Sequence, residues 1–232
     1  MKKIVCIFIL FTINSYSQNF DYSTYNLFLA KYVSEKGNVN YDKIITNKAE
    51  LNAIIFQFEK TQPTEKWLKN EKMAYFINVY NAYTIKVVID NYPVKSIKDI
   101  NGVWNKKIIT SGKSKISLSD VENEILRKLD DPRIHFAINC ASYSCPNLVN
   151  AAFVPATLDK QLDTTTKSFI NDKSKNIIAT NEIKISKIFY WYSADFKSNT
   201  KTVINFINKY SNTKINDSAK TSYLNYSWSL NK

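Results

Sequence analysis

Residues 71–90, EKMAYFINVYNAYTIKVVID, are apolar on nearly every side, and they end just before Tyr92-Pro93, where a helix must stop. A surface helix keeps one polar face, so a helix without one belongs in a core. This one carries Asn78 and Asn81 one turn apart. An unpaired buried amide costs about 1–3 kcal/mol, so both side chains need partners. They can tie down neighbouring loops, or line a pocket as substrate-binding groups.

Upstream, Tyr22, Tyr25, Leu27, Phe28, Ala30 and Tyr32 recur at helical spacing and predict a helix over 21–33. Leu51, Ile54, Ile55 and Phe58 predict another over 48–59. Downstream, a hairpin is expected around Ser111-Gly112. Ser119-Asp120-Val121-Glu122 has the spacing of a capping box opening a helix to about Leu129. Glu122 is thus a cap or a site carboxylate.

Asp131 to Asn139 alternates with period two, which predicts a strand with Arg133, His135, Ala137 and Asn139 on one face. That polar row reads as the wall of a site, with Arg133 suited to an anionic group. A helix is expected over 157–172, capped by Thr157, then strands at 176–180 and 182–189. A helix over 200–210 and a closing strand, Tyr223–Trp228, complete the reading. The aromatic run Ile188–Tyr192 is core, or the floor of a sugar or peptide groove. The pattern gives an α+β fold in which a helical N-terminal part packs on an antiparallel sheet, loosely papain- or transglutaminase-like by analogy.

The 232 residues suit one domain, and 44% hydrophobic content with 3 Gly and 5 Pro excludes a disordered or collagen-like chain. Formal charge is +12, yet all basic residues but Arg127 and Arg133 are scattered lysines, unlike the clustered basic stripe of a nucleic-acid surface. No nucleic-acid partner is expected. Met1-Lys2-Lys3, an apolar run from Ile4 to Ile13, and Ser15 and Ser17 predict a signal peptide over 1–17 and an exported globular domain over 18–232. That run is too short to span a membrane, and no later stretch is longer, so no integral membrane segment is expected after cleavage.

Removal of the signal takes Cys6 and leaves Cys140 and Cys145. In an oxidising compartment the pair is either a small disulfide loop or two free thiols, and spacing alone leaves both open. One histidine with two cysteines makes a poor zinc set, so neither metal nor another cofactor is expected. On a continuing strand Cys140 would face away from His135. Cys145, placed ahead of Pro146 at a helix start, is then the better nucleophile. There is no Cys-x-x-Cys pattern of a thiol–disulfide exchanger.

Seven motifs occur in order: Phe76-Ile77-Asn78-Val79-Tyr80-Asn81-Ala82; Tyr92-Pro93-x-x-Ser96-Ile97; Val121-Glu122 with Ile125-Leu126-Arg127; Pro132-Arg133-Ile134-His135-Phe136-Ala137; Cys140-Ala141-Ser142-x-Ser144-Cys145-Pro146; Leu158-Asp159-x-Gln161-Leu162; and Ser186-Lys187-Ile188-Phe189-x-Trp191-Tyr192-x-x-Asp195-Phe196. Together they resemble the domain of unknown function 547 family over about residues 66–228. The resemblance implies that Asn78, Asn81, Glu122, Arg127, Arg133, His135, Cys140 and Cys145 form one constellation. It brings no activity with it. One departure is Asn123, where the family pattern suggests histidine.

The chemistry expected from these residue types is cysteine-dependent hydrolysis or acyl transfer on peptide or cell-wall amide bonds. Cys145 would attack, His135 serve as base and acid, and Glu122 or Asn81 orient the imidazole. Asn78, Asn81 and Arg133 would hold a peptide or an anionic small-molecule ligand. The alternative is a non-catalytic binding or scaffold domain with a Cys140–Cys145 disulfide.

Overall fold

The computed structural model describes residues 20–232, so the expected signal peptide and Cys6 lie outside the described residues. Helix α4, Lys69–Asn91, is the axis of the larger hydrophobic cluster, with sixteen of its residues buried. Glu71 Oε2 accepts the Leu68 N–H at 2.7 Å and fixes its start. Helices α1 (Ser23–Tyr32), α2 (Tyr41–Ile45) and α3 (Lys48–Lys60) wrap it, turning Tyr25, Phe28, Leu51, Ile54 and Phe58 inward. The two predicted helices before α4 are therefore present within two residues of their expected ends.

Strands β1 (Ile109–Ser111) and β2 (Ser114–Ile116) form the expected hairpin, whose turn uses the positive φ of 58° at Gly112. The capping box that follows is two residues earlier than expected. Ser117 Oγ accepts the Asp120 N–H at 3.1 Å while Asp120 Oδ2 accepts the Ser117 N–H at 2.6 Å. Glu122 consequently has no capping duty. Helix α5 (Leu118–Asp120) runs into a π-helical turn, Val121–Leu126, and a 3-10 turn, Arg127–Leu129.

The strand expected over 131–139 is not formed. Asp131 caps and Pro132 opens a 3-10 turn, Pro132–Phe136, in which Asp131 Oδ1 accepts the Arg133 N–H at 3.0 Å. The alternation misled because both of its faces are inside: residues 134–139 are all buried. Ile134 enters the cluster around α4, and Phe136 enters a second one.

That second cluster gathers Phe169, Ile183, Ile185, Phe189, Phe196 and Phe206. Its frame is α6 (Leu158–Asn171), the sheet β3 (Ile177–Ile178), β4 (Glu182–Ile185) and β5 (Lys220–Tyr223), and the short helices α7 (Ile188–Trp191), α8 (Ser193–Lys197) and α9 (Val203–Ile207). Strands β3 and β4 pair antiparallel, but β4 and β5 are parallel, because three helices carry the chain back between them. The fold is thus mixed α+β with small sheets, not one antiparallel sheet.

Two boundaries and one cap also differ from expectation. The strand expected to reach residue 189 stops at Ile185, since the Ser186 Oγ accepts the Ile188 N–H at 3.3 Å and starts α7. The closing strand falls at Lys220–Tyr223, ahead of its expected place. Thr157 makes no side-chain cap to α6. Among the described residues no helix is long and apolar enough to cross a membrane.

Candidate thiol site

The Cys140–Cys145 segment turns back on itself through Ala141, whose φ is 57°, a conformation rare for a residue with a Cβ. The turn is pinned from inside: Asn139 Oδ1 accepts the Ala141 N–H at 2.8 Å, and Asn139 Nδ2 donates to the Pro146 carbonyl at 2.7 Å. Asn81 holds its base, accepting the Asn139 N–H at 2.8 Å and donating to the Ala137 carbonyl at 3.0 Å. The C-terminal tail covers the outside. Tyr143 N–H donates to Ser229 O at 2.7 Å and Ser227 N–H to Ser144 Oγ at 2.9 Å.

This geometry brings the two sulfurs within 2.8 Å of each other. Cys140 Sγ is also 3.1 Å from Ser142 Oγ and 3.4 Å from the Tyr226 hydroxyl, which in turn meets Ser142 Oγ at 2.9 Å. The Cys145 thiol beside it lowers the Cys140 pKa to about 7 against the opposing effect of burial, with Ser142 and Tyr226 adding to the shift. Burial pushes the Cys145 thiol up. Of the two sulfurs, Cys140 is the one whose surroundings favour the thiolate. The helix start expected at Pro146 is absent, since residues 146–150 are irregular, and no helix dipole acts on Cys145.

His135 is buried, and its Nε2 lies 2.8 Å from Asp195 Oδ2. Its ring stacks on Tyr192 at 3.9 Å. Nδ1 is buried and has no hydrogen-bond partner among the described residues. Asp195 is gripped by Arg127, whose Nε and Nη2 donate at 2.6 and 2.7 Å, while Arg127 Nη1 donates to Asn123 Oδ1 at 2.8 Å. Burial alone would raise the Asp195 carboxyl, but His135 and Arg127 overcome it and hold the group well below the usual carboxylate range. The residue that orients the imidazole is thus Asp195, not Glu122 or Asn81. Sequence reasoning missed it because the pair is 60 residues apart. The usable signal was Arg127, one of two arginines in a lysine-rich chain.

Cys140, Cys145, His135 and Glu122 line one cavity of about 400 Å3, walled by Trp104, Trp191, Tyr192, Tyr226 and Trp228. Glu122 Oε2 accepts from the Tyr80 hydroxyl at 3.2 Å. The other expected site residues lie elsewhere. Asn78 pairs with both backbone groups of Phe153, at 2.7 and 3.0 Å. Arg133 is enclosed by Asp131, Asp159 and Asp163 at 2.6–2.8 Å, which leaves its guanidinium no open donor pair for an anion. No three His, Cys, Asp or Glu side chains among the described residues are grouped to hold a metal ion.

No curated protein and no solved structure matches the chain. Residues 64–170, which span α4, the π turn, His135 and both cysteines, match the family model described as "Protein of unknown function, DUF547", and the chain carries a domain of that family.

Proposed function

We propose that the protein is an exported cysteine-dependent hydrolase or acyltransferase acting on peptide or cell-wall amide bonds, in a loosely papain- or transglutaminase-like arrangement. The observation that carries this reading is that a thiol pair and His135 line one cavity, with Asp195 bonded to the imidazole. Cys140 replaces Cys145 as the attacking sulfur, and Cys145 becomes the donor that stabilises its thiolate. Export rests on residues 1–17, and sequencing of the secreted chain should find Gln18 at its N-terminus.

In the reaction Cys140 Sγ adds to the carbonyl carbon. Asp195, kept anionic by Arg127, accepts the Nε2–H of His135, so the ring's second nitrogen carries the mobile proton. Protonated at this nitrogen, which is buried in the free protein and must meet the substrate in the cavity, His135 delivers that proton to the leaving amine as the C–N bond breaks, leaving an acyl-Cys140 thioester. Water or an amine then attacks with His135 as base, which restores the thiolate. Glu122, on the cavity wall, contacts substrate rather than the imidazole.

The test is intact-mass analysis after exposure to S-phenyl thioacetate. An acetyl adduct on Cys140, abolished in Cys140→Ala and slow to hydrolyse in His135→Ala, is the expected result. The 2.8 Å sulfur separation also favours a second reading, a non-catalytic domain in which Cys140 and Cys145 are bridged. Native protein that resists alkylation until reduced, and takes no acetyl group afterwards, selects that reading and removes the hydrolase.

A further inference from the structure

The chain has 32 Lys and Arg against 20 Asp and Glu, yet none of those basic side chains lines the thiol cavity among the described residues. Beside His135 and the two thiols, its lining includes six aromatic rings and one carboxylate, Glu122. Three of the chain's four tryptophans are there. Trp191 and Trp228 lie 28° from parallel with centroids 5.8 Å apart, and Trp104 follows at 6.5 Å. Trp191 is 42% exposed, so this wall is an open mouth and not sealed core.

Glu122 forms no ion pair among the described residues: it meets the hydroxyls of Tyr80 and Tyr192, and the nearby Arg127 is spent on Asp195 and Asn123. The rings already attract cations from outside, with Lys98 Nζ 5.4 Å from the Trp228 centroid and the Arg127 guanidinium 5.5 Å from that of Tyr192. Ring faces and a carboxylate, in a wall whose one imidazole is bonded to Asp195 and which holds no Lys or Arg, repel anions and attract organic cations.

We infer that the thiol cavity binds an alkylammonium group, seated against Trp104, Trp191 and Trp228 with Glu122 as its counter-ion. Resting on the acyl-transfer reading above, this assigns the substrate class: an acyl compound whose alcohol or amine portion bears a positive charge near the scissile bond. The binding itself depends only on the rings and the carboxylate. It reverses the expectation of an anionic ligand, since Arg133 lies outside the cavity among three aspartates.

The experiment titrates the mature Cys140→Ser protein with choline, with its neutral isostere 3,3-dimethylbutan-1-ol, and with propionate, at fixed ionic strength. Tryptophan fluorescence and calorimetry are the readouts. Choline should quench saturably and bind about ten-fold or more tightly than the alcohol, and propionate should not bind. Glu122→Gln should erase the advantage of choline. Glu124→Gln removes the same charge from an exposed neighbour and should keep it. If Glu122→Gln fails to fold, Trp191→Ala, altering a part-exposed ring, should weaken choline about five-fold.

Equal binding of choline and the alcohol overturns the inference, as does an equal loss in Glu124→Gln. Choline binding without any acyl-Cys140 removes the hydrolase and leaves the cation site. Acylation without preference for choline does the reverse.

Discussion

Cys140 and Cys145 differ only in surroundings, and the surroundings decide which ionises. Three donors converge on Cys140, so its alkylation rate by iodoacetamide should rise through a midpoint near the pKa of about 7 and level off above it. Cys145→Ala removes the largest of these contributions and should move the midpoint up toward the ordinary thiol range. An unchanged midpoint in that variant would show that Cys145 does not set the thiolate. Asp195 acts one contact further from the chemistry. Asp195→Asn should slow acyl transfer by about 10²–10⁴, with deacylation affected more than thiol alkylation, because the imidazole loses its orienting anion. The same carboxyl, depressed in the folded state, contributes stability that is present above its unfolded pKa of about 3.9 and lost as pH falls through the folded value. Acid titrations should therefore find Asp195→Asn less pH-sensitive than the parent. Here the sequence was legible in part. His135, the cysteines and the informative arginines stood out by rarity, whereas Asp195 and Tyr226 reach the site from 60 and 86 residues away, which local spacing cannot encode.

Elements that feed one hydrophobic cluster were readable, and the turn that feeds two was not. Helices α1, α3 and α4 follow their apolar spacing because each packs toward one cluster or lies wholly within it. The Pro132–Phe136 turn alternates like a strand because Ile134 and Phe136 feed different clusters. The displaced capping box has a larger consequence, since it frees Glu122 for the cavity. Ser117→Ala removes an Oγ that accepts the Asp120 N–H and should destabilise the fold by about 1 kcal/mol, lowering Tm by roughly 2–4 °C. Ser119→Ala, at the position first expected to cap, should change Tm by less than about 1 °C. The tail is the other decisive element. Its residues 226–231 supply Tyr226 and Trp228 to the cavity and backbone bonds to Tyr143 and Ser144. Ending the chain after Leu224 should raise the Cys140 alkylation midpoint and release the turn to proteolysis, both measurable on one preparation.

At the scale of the molecule, the two hydrophobic clusters meet at consecutive residues of one short turn. Ile134 belongs to the cluster around α4, Phe136 to the cluster of the sheet and short helices, and His135 lies between them. The site's imidazole is thereby held between residues of both halves of the core. This junction also makes the expected single domain testable. Phe136 is 1% exposed and touches Phe169, Phe189, Phe196 and Phe206 with ring centroids 5.2–6.1 Å apart. Phe136→Ala should cost about 3–5 kcal/mol, a drop in Tm of roughly 6–20 °C, while Phe56→Ala, at a 55% exposed ring, should cost less than about 0.5 kcal/mol. If the clusters form one cooperative unit, calorimetry will give a single transition that moves as a whole in Phe136→Ala. Loss of His135 stacking on Tyr192 and loss of α4 helicity will then coincide. Two resolved transitions, with only the lower one shifted, would instead divide the chain at this turn and make the thiol cavity an interdomain site.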